Sequence, residues 1–153
     1  IRPASFPPYK NEPIKPMRVL AIDYGEQRIG IAASDPEQKV SLPIRIIESS
    51  QKTLNLLKEI IEEYEVSEIV FGLPKDKEGN DSKKATEVRL FAETLKEITN
   101  LPILFWDERY STKAVKQAMI QTNLKSKKKK KSLDAHAAAF FLQGYLDSKQ
   151  RSL

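Results

Sequence analysis

Four carboxylates stand where the chain would otherwise go on burying hydrocarbon. Asp23 follows the apolar run Val19 to Ile22, Asp107 and Glu108 follow Ile103 to Trp106, and Asp134 precedes Ala137, Ala138 and Phe141 by three, four and seven residues. That last spacing puts Asp134 on the apolar face of a helix, toward whatever the face packs against. Carboxylates gathered at the edge of a core repel one another and titrate upward unless a cation holds them. A hard divalent ion does so, and Mg²⁺ prefers oxygen ligands while retaining several waters. Two such ions roughly 3.5–4 Å apart can activate a water and stabilise the leaving oxygen of a phosphodiester. Each acid also has a plainer reading. Asp23 can open a turn at Gly25, Asp134 can favour a helix N-terminus, and Asp107 can pair with Arg109.

These acids need a frame that brings them together. The continuous apolar run Arg18 to Ile22 predicts a central strand. Gly25 and Gly30 bracket a turn into a second strand, Ile29 to Ala33, and Val40 to Ile47 makes a third, with Pro43 pointing to an edge or a bulge. Leu54, Leu57, Ile60, Ile61 and Tyr64 then recur at helical spacing, and Glu68 to Leu73 reads as a fourth strand. The polar loop KDKEGNDSKK leads to a helix with Ala85, Val88, Phe91, Ala92, Leu95 and Ile98 on one face, followed by a fifth strand, Ile103 to Trp106. Ser111 or Thr112 can cap a third helix, and a last helix runs from about Leu133 to Asp147. The order β β β α β α β α α predicts a mixed α/β sheet with helices on both faces. In such sheets ligand sites form at the carboxyl ends of strands, where Asp23, Asp107 and Glu108 stand.

With 153 residues, 40% of them hydrophobic, the chain can bury one core. Residues 17–150 read as one domain, preceded by an extension of residues 1–16 that holds five of the nine prolines and no periodicity. Cysteine is absent, which excludes disulfides and thiolate metal sites and fits a reducing compartment. No apolar stretch approaches the roughly 20 residues of a membrane span, so a soluble, intracellular protein is expected. The net charge of +5 is local in origin: six lysines lie in the seven residues Lys125 to Lys131, and without them and the basic extension the body is net negative. Lys127, Lys128, Lys129 and Lys130 either grip phosphate beside Asp134 or form a solvated loop.

The residues Asp23-Tyr24-Gly25-Glu26-Gln27-Arg28-Ile29-Gly30 with Ser34-Asp35-Pro36 resemble the opening motif of the YqgF or RuvX family of pre-16S rRNA nucleases and Holliday junction resolvases, which have an RNase H-like fold. Gly72-Leu73-Pro74 with Gly79 is similar to the family's central loop, although Glu78 stands where the family often has aspartate. Asp107 to Thr112 resembles its DERxST motif, and Asp134 through Ala137-Ala138, ending in Leu142-Gln143-Gly144-Tyr145, its C-terminal one. The resemblance implies a bacterial or organellar protein of the cytoplasm that cleaves nucleic acid with Mg²⁺ or Mn²⁺, two ions by the chemistry above. Asp23, Asp134 and one of Asp107 and Glu108 are then the metal ligands. Strand alternation sends that last pair to opposite faces and leaves open which of them turns inward.

Arg28 and Arg109 are candidates for phosphate contact, which suits a planar fork, although Arg109 can instead pair with a neighbouring acid. Ser111 and Thr112 read as helix caps, His136 as structural and Trp106 as core. The 5′ end of pre-16S rRNA is the expected substrate, with DNA four-way junctions as the alternative. Junction cleavage favours a dimer, whereas RNA trimming can be done by a monomer. A non-catalytic nucleic-acid-binding module would not need all three acidic positions. Actin-like kinases share a D-x-G start but need two such domains, and a glycosidase would need an aromatic-rich cleft.

Overall fold

The computed structural model describes residues 17–108 and 127–151, the latter as backbone alone over residues 127–135 and at residue 151. Strands β1 (Arg18–Asp23), β2 (Arg28–Ser34) and β3 (Ser41–Glu48) come first, then helix α1 (Thr53–Glu63), strand β4 (Val66–Leu73), helix α2 (Lys83–Ile98), strand β5 (Ile103–Asp107) and helix α3 (Lys127–Arg151). They build one mixed sheet in the order β3-β2-β1-β4-β5. The short turns make β1–β2 and β2–β3 antiparallel, while the helical crossovers make β4 parallel to β1 and β5 parallel to β4.

The central position of β1 explains its composition. Val19, Leu20, Ala21 and Ile22 are all fully buried, because both faces of this strand are covered. Leu20 and Ile22 join Ile29, Ile31, Ile69 and Phe71 against α1 and α2, whereas Val19, Ala21, Ala32 and Val70 meet Ala138, Phe141 and Leu142 of α3. Each large fully buried side chain contributes roughly 1.5–3 kcal/mol. Helices thus lie on both faces, as the period changes in the sequence predict.

Pro43 sits where a proline is tolerated. β3 is an edge strand of the sheet, and its register with β2 slips between the pairs Ile31–Arg45 and Ala32–Pro43, a bulge. Helix α2 starts at Ser82, whose Oγ accepts from the Ala85 amide at 3.1 Å.

The last helix is longer than its apolar pattern. The expected limits, about Leu133 to Asp147, become Lys127–Arg151, so Lys127 to Lys130 lie on helical backbone and not in a loop. Lysine is a good helix former and nothing between Lys127 and Leu133 interrupts a helix, whereas hydrophobic periodicity marks only the buried part. The proline-rich extension, Arg109, Lys125 and the helix expected from Ser111 or Thr112 lie outside the described residues. No described helix is long and apolar enough to cross a membrane.

Candidate active site

The carboxyl ends of β1, β4 and β5 lie side by side, and the pleat decides which acids share a face. On β1, Val19 and Ala21 belong to the α3 side and Leu20 and Ile22 to the α1/α2 side, so Asp23, the last residue of the strand, falls on the α3 side. It is paired with Gly30 of β2 and stands one residue beyond the Ile22–Phe71 pair of β1 and β4, next to Gly72. Glycines therefore flank Asp23 on both neighbouring strands, and neither places a side chain beside it.

Gly72 has a specific reason to lack a Cβ. A methyl group there would meet Oε1 of Glu108 at 2.5 Å, Cγ of Glu108 at 2.9 Å and Cε2 of Phe141 at 2.7 Å. Because Phe141 comes from α3, the Glu108 side chain lies over Gly72 on the α3 side, the side to which Asp23 belongs. On β5, Trp106 packs with the α3 cluster and Ile103 with the α1/α2 cluster. The same alternation gives Asp107, paired with Leu73, to the α1/α2 side. Of the two adjacent acids, Glu108 is thus the one beside Gly72 and Asp23.

Asp134 lies on the backbone of α3, four and seven residues before the buried Ala138 and Phe141. Ala137, expected on the same face, is only half-buried, whereas Ala138 and Phe141 are buried. Among the described residues no group of three or more His, Cys, Asp or Glu side chains could hold a metal ion. The side chain of Asp134 is not among those described.

The turn after Asp23 is held tightly. A Cβ at Gly25 would stand 2.5 Å from the carbonyl oxygen of Arg28, so only glycine fits there. Ser49 at the end of β3 donates from Oγ to the Gly25 carbonyl at 3.1 Å and from its amide to that of Gln27 at 2.8 Å. Tyr24 stacks on Phe91 of α2, with ring centroids 4.6 Å apart. Arg28, the exposed first residue of β2, lines a cleft of about 620 Å³ that begins at Asp23 and is walled on its far side by Lys83, Lys84 and Glu87 of α2.

The loop between β4 and α2 starts from this end of the sheet and is held by its own hydrogen bonds. The Asp76 carboxylate accepts from the amides of Glu78 and Asn80 at 3.0 and 2.9 Å, and Gly79 takes a φ of 87°, which favours glycine. Arg89 donates from Nε to Asp81 at 2.6 Å and Lys75 donates to the same carboxylate. Those bonds, Arg89 first, hold the Asp81 carboxyl down at about 2.

Asp23 and Asp107 end β1 and β5 and Glu108 follows Asp107, as their places after apolar runs predict, while the choice within the pair comes from the pleat. Trp106, expected in the core, is partly buried against the α3 cluster, edge-on to Tyr145 at 5.7 Å. Lys83 and Lys84 stand out in the sequence only as two cations at the start of a helix, a position that favours acids.

The profile of a family described as "RuvX: Holliday junction resolvase" matches residues 17–148. A protein of Clostridium acetobutylicum named "Putative pre-16S rRNA nuclease" is 42% identical over 134 residues, which cover 86% of this chain and 99% of that one. One of the same name from Desulfitobacterium hafniense (strain DSM 10664 / DCB-2) is 39% identical over 131 residues, covering 86% and 92%. Among solved structures, T. thermophilus RuvC in complex with Holliday junction substrate has the same fold at a TM-score of 0.54 and 13% identity, over 88% of this chain and 96% of that one.

Proposed function

Because this chain belongs to the RuvX family over residues 17–148, we propose that it is a metal-dependent nuclease that trims the 5′ end of precursor 16S rRNA in the cytoplasm. The enzyme class is hydrolase, acting on phosphodiester bonds. The name shared by relatives at about 40% identity over most of the chain supports the RNA substrate. The observation that carries the catalytic reading is the Glu108 carboxylate lying over Gly72 on the same side of the sheet as Asp23.

That arrangement fits a hard divalent cation. The side chains at hand offer carboxylate oxygens and no sulfur, and the missing side chain at Gly72 lets the Glu108 carboxylate reach the strand end next to Asp23. Asp23, Glu108 and Asp134 would hold Mg²⁺ or Mn²⁺. Bound there, the ions would supply positive charge for the attacking and leaving oxygens of the phosphodiester. The protein's own part is positional. The β1–β2 turn, tied to Ser49 and stacked on Phe91, holds Asp23 and Arg28 in fixed relation. Arg28, with a planar fork suited to phosphate, would anchor the strand at the mouth of the cleft, and Arg109 and Lys127 to Lys130 would hold flanking phosphates.

The family's own description favours a second substrate, a four-way DNA junction. One experiment separates the two. The full chain with Mg²⁺ or Mn²⁺ is given labelled precursor 16S ends, single-stranded RNA and synthetic junctions. Cleavage of the precursor end, abolished by chelator and by Asp23→Asn, is the expected result. Cleavage of junctions alone would replace the RNA reading, and cleavage that survives both Asp23→Asn and Glu108→Gln would remove the metal site.

A further inference from the structure

Lys83 and Lys84 are the first two residues of α2, whose first turn holds no acid. A helix start favours carboxylates, so helix stability does not account for two cations there. Both line the cleft of about 620 Å³ that is continuous with Asp23. Its other charged walls are Arg28, Glu26 and Glu87. Glu87 stands at helical spacing from both lysines, where it can offset one of them and leaves the other's charge to the cleft. The cleft is bounded on one side by the turn that Gly25 and Ser49 fix and on the other by α2, whose start is capped by Ser82. Both walls are therefore set before a ligand arrives.

We propose that Lys83 and Lys84 hold a backbone phosphate of the substrate strand across this cleft from Asp23, so that the strand crosses the carboxyl edge of the sheet between the β1–β2 turn and α2. The assignment rests on the nuclease reading and adds to it a direction for the strand and two binding residues. Lysine is a point charge that grips phosphate without reading bases, so the contact adds affinity and position but no sequence preference.

The test uses the full chain and Lys83→Gln/Lys84→Gln, since glutamine keeps the helix propensity and removes only the charge. Affinity for a labelled single strand is measured across salt concentration, with KM and kcat on the substrate that the wild type cleaves. The slope of log K against log salt should flatten by about 0.7 for each lysine lost, so by about 1.4. KM should carry more of the loss than kcat, because the contact is made in ground and transition states alike. Lys83→Arg/Lys84→Arg should restore the slope. A scan of single methylphosphonates along the strand should find one position that weakens wild-type binding and leaves the glutamine variant unmoved. An unchanged slope, or the same methylphosphonate profile in both proteins, would overturn the assignment. If the wild type neither binds nor cleaves nucleic acid, it is the nuclease reading that fails, and the strand path fails with it.

Discussion

Replacing Gly72 with alanine probes the candidate site at a residue that carries no functional group. The added methyl would stand 2.5 Å from Glu108 Oε1 and 2.7 Å from Phe141 Cε2, whereas ordinary contact begins near 3.4 Å. The carboxylate must then retreat by about 0.9 Å and the ring by about 0.7 Å. Phe141 is 1% exposed and packed within the α3 cluster, so it cannot move freely, and most of the displacement falls on Glu108. Overpacking of this kind costs about 1–3 kcal/mol. At about 3 °C per kcal/mol for a chain of this length, Tm should drop by roughly 3–9 °C in calorimetry. A reacting group misplaced by about 1 Å can cost on the order of 10²-fold in rate, so cleavage should fall by about that factor at temperatures where the variant remains folded. Combining Gly72→Ala with Glu108→Ala should return part of the lost stability, since two of the three close contacts involve Glu108, and none of the activity. Wild-type activity in a destabilised Gly72→Ala variant would refute the role given to Glu108. Wild-type Tm would refute the packing itself.

The adjacent acids should separate in the same assay: Glu108→Gln loses cleavage by at least the roughly 10²-fold expected of a removed transition-state contact, while Asp107→Asn, on the other side of the sheet, stays within a few-fold, and equal losses would show that the pleat does not sort them. Changing Lys127, Lys128, Lys129 and Lys130 to glutamine should weaken nucleic-acid binding uniformly across sequences and flatten its salt slope by about 3, with helicity kept in circular dichroism; an unchanged slope would leave the tract as a helical spacer. For Asp81, held down at about 2 by Arg89 and Lys75, the stabilisation of the β4–α2 loop is complete above the ordinary carboxylate value of 3.8 and is lost as pH falls through about 2. An NMR titration of its carboxyl should show that depressed midpoint, and Arg89→Gln should move it back toward 3.8; a midpoint unmoved by the substitution would mean that Arg89 is not the cause.

Local periodicity was enough to read the element order among the described residues, because β1 is apolar on both faces and α1 and α2 each carry one apolar stripe, patterns that follow from burial along a single segment. The same run of residues showed that Asp23 and Asp107 end strands and that Glu108 follows directly, and it put Asp134 in a helix. Pro43 announced an edge or a bulge and met both. Lys127 to Lys130 carry no hydrophobic period, so the pattern places the helix start later than the backbone does. What neighbouring segments alone could not decide was convergence. That Gly30 and Gly72 flank Asp23, that Glu108 and not Asp107 lies over Gly72, and that Lys83 and Lys84 wall a cleft shared with Asp23 all depend on strand order and register. Register is a contact between segments far apart in the chain, and a shift of one residue would turn every side chain of a strand to the opposite face. The acids are written in the sequence, but the side of the sheet on which they meet is decided by the pleat.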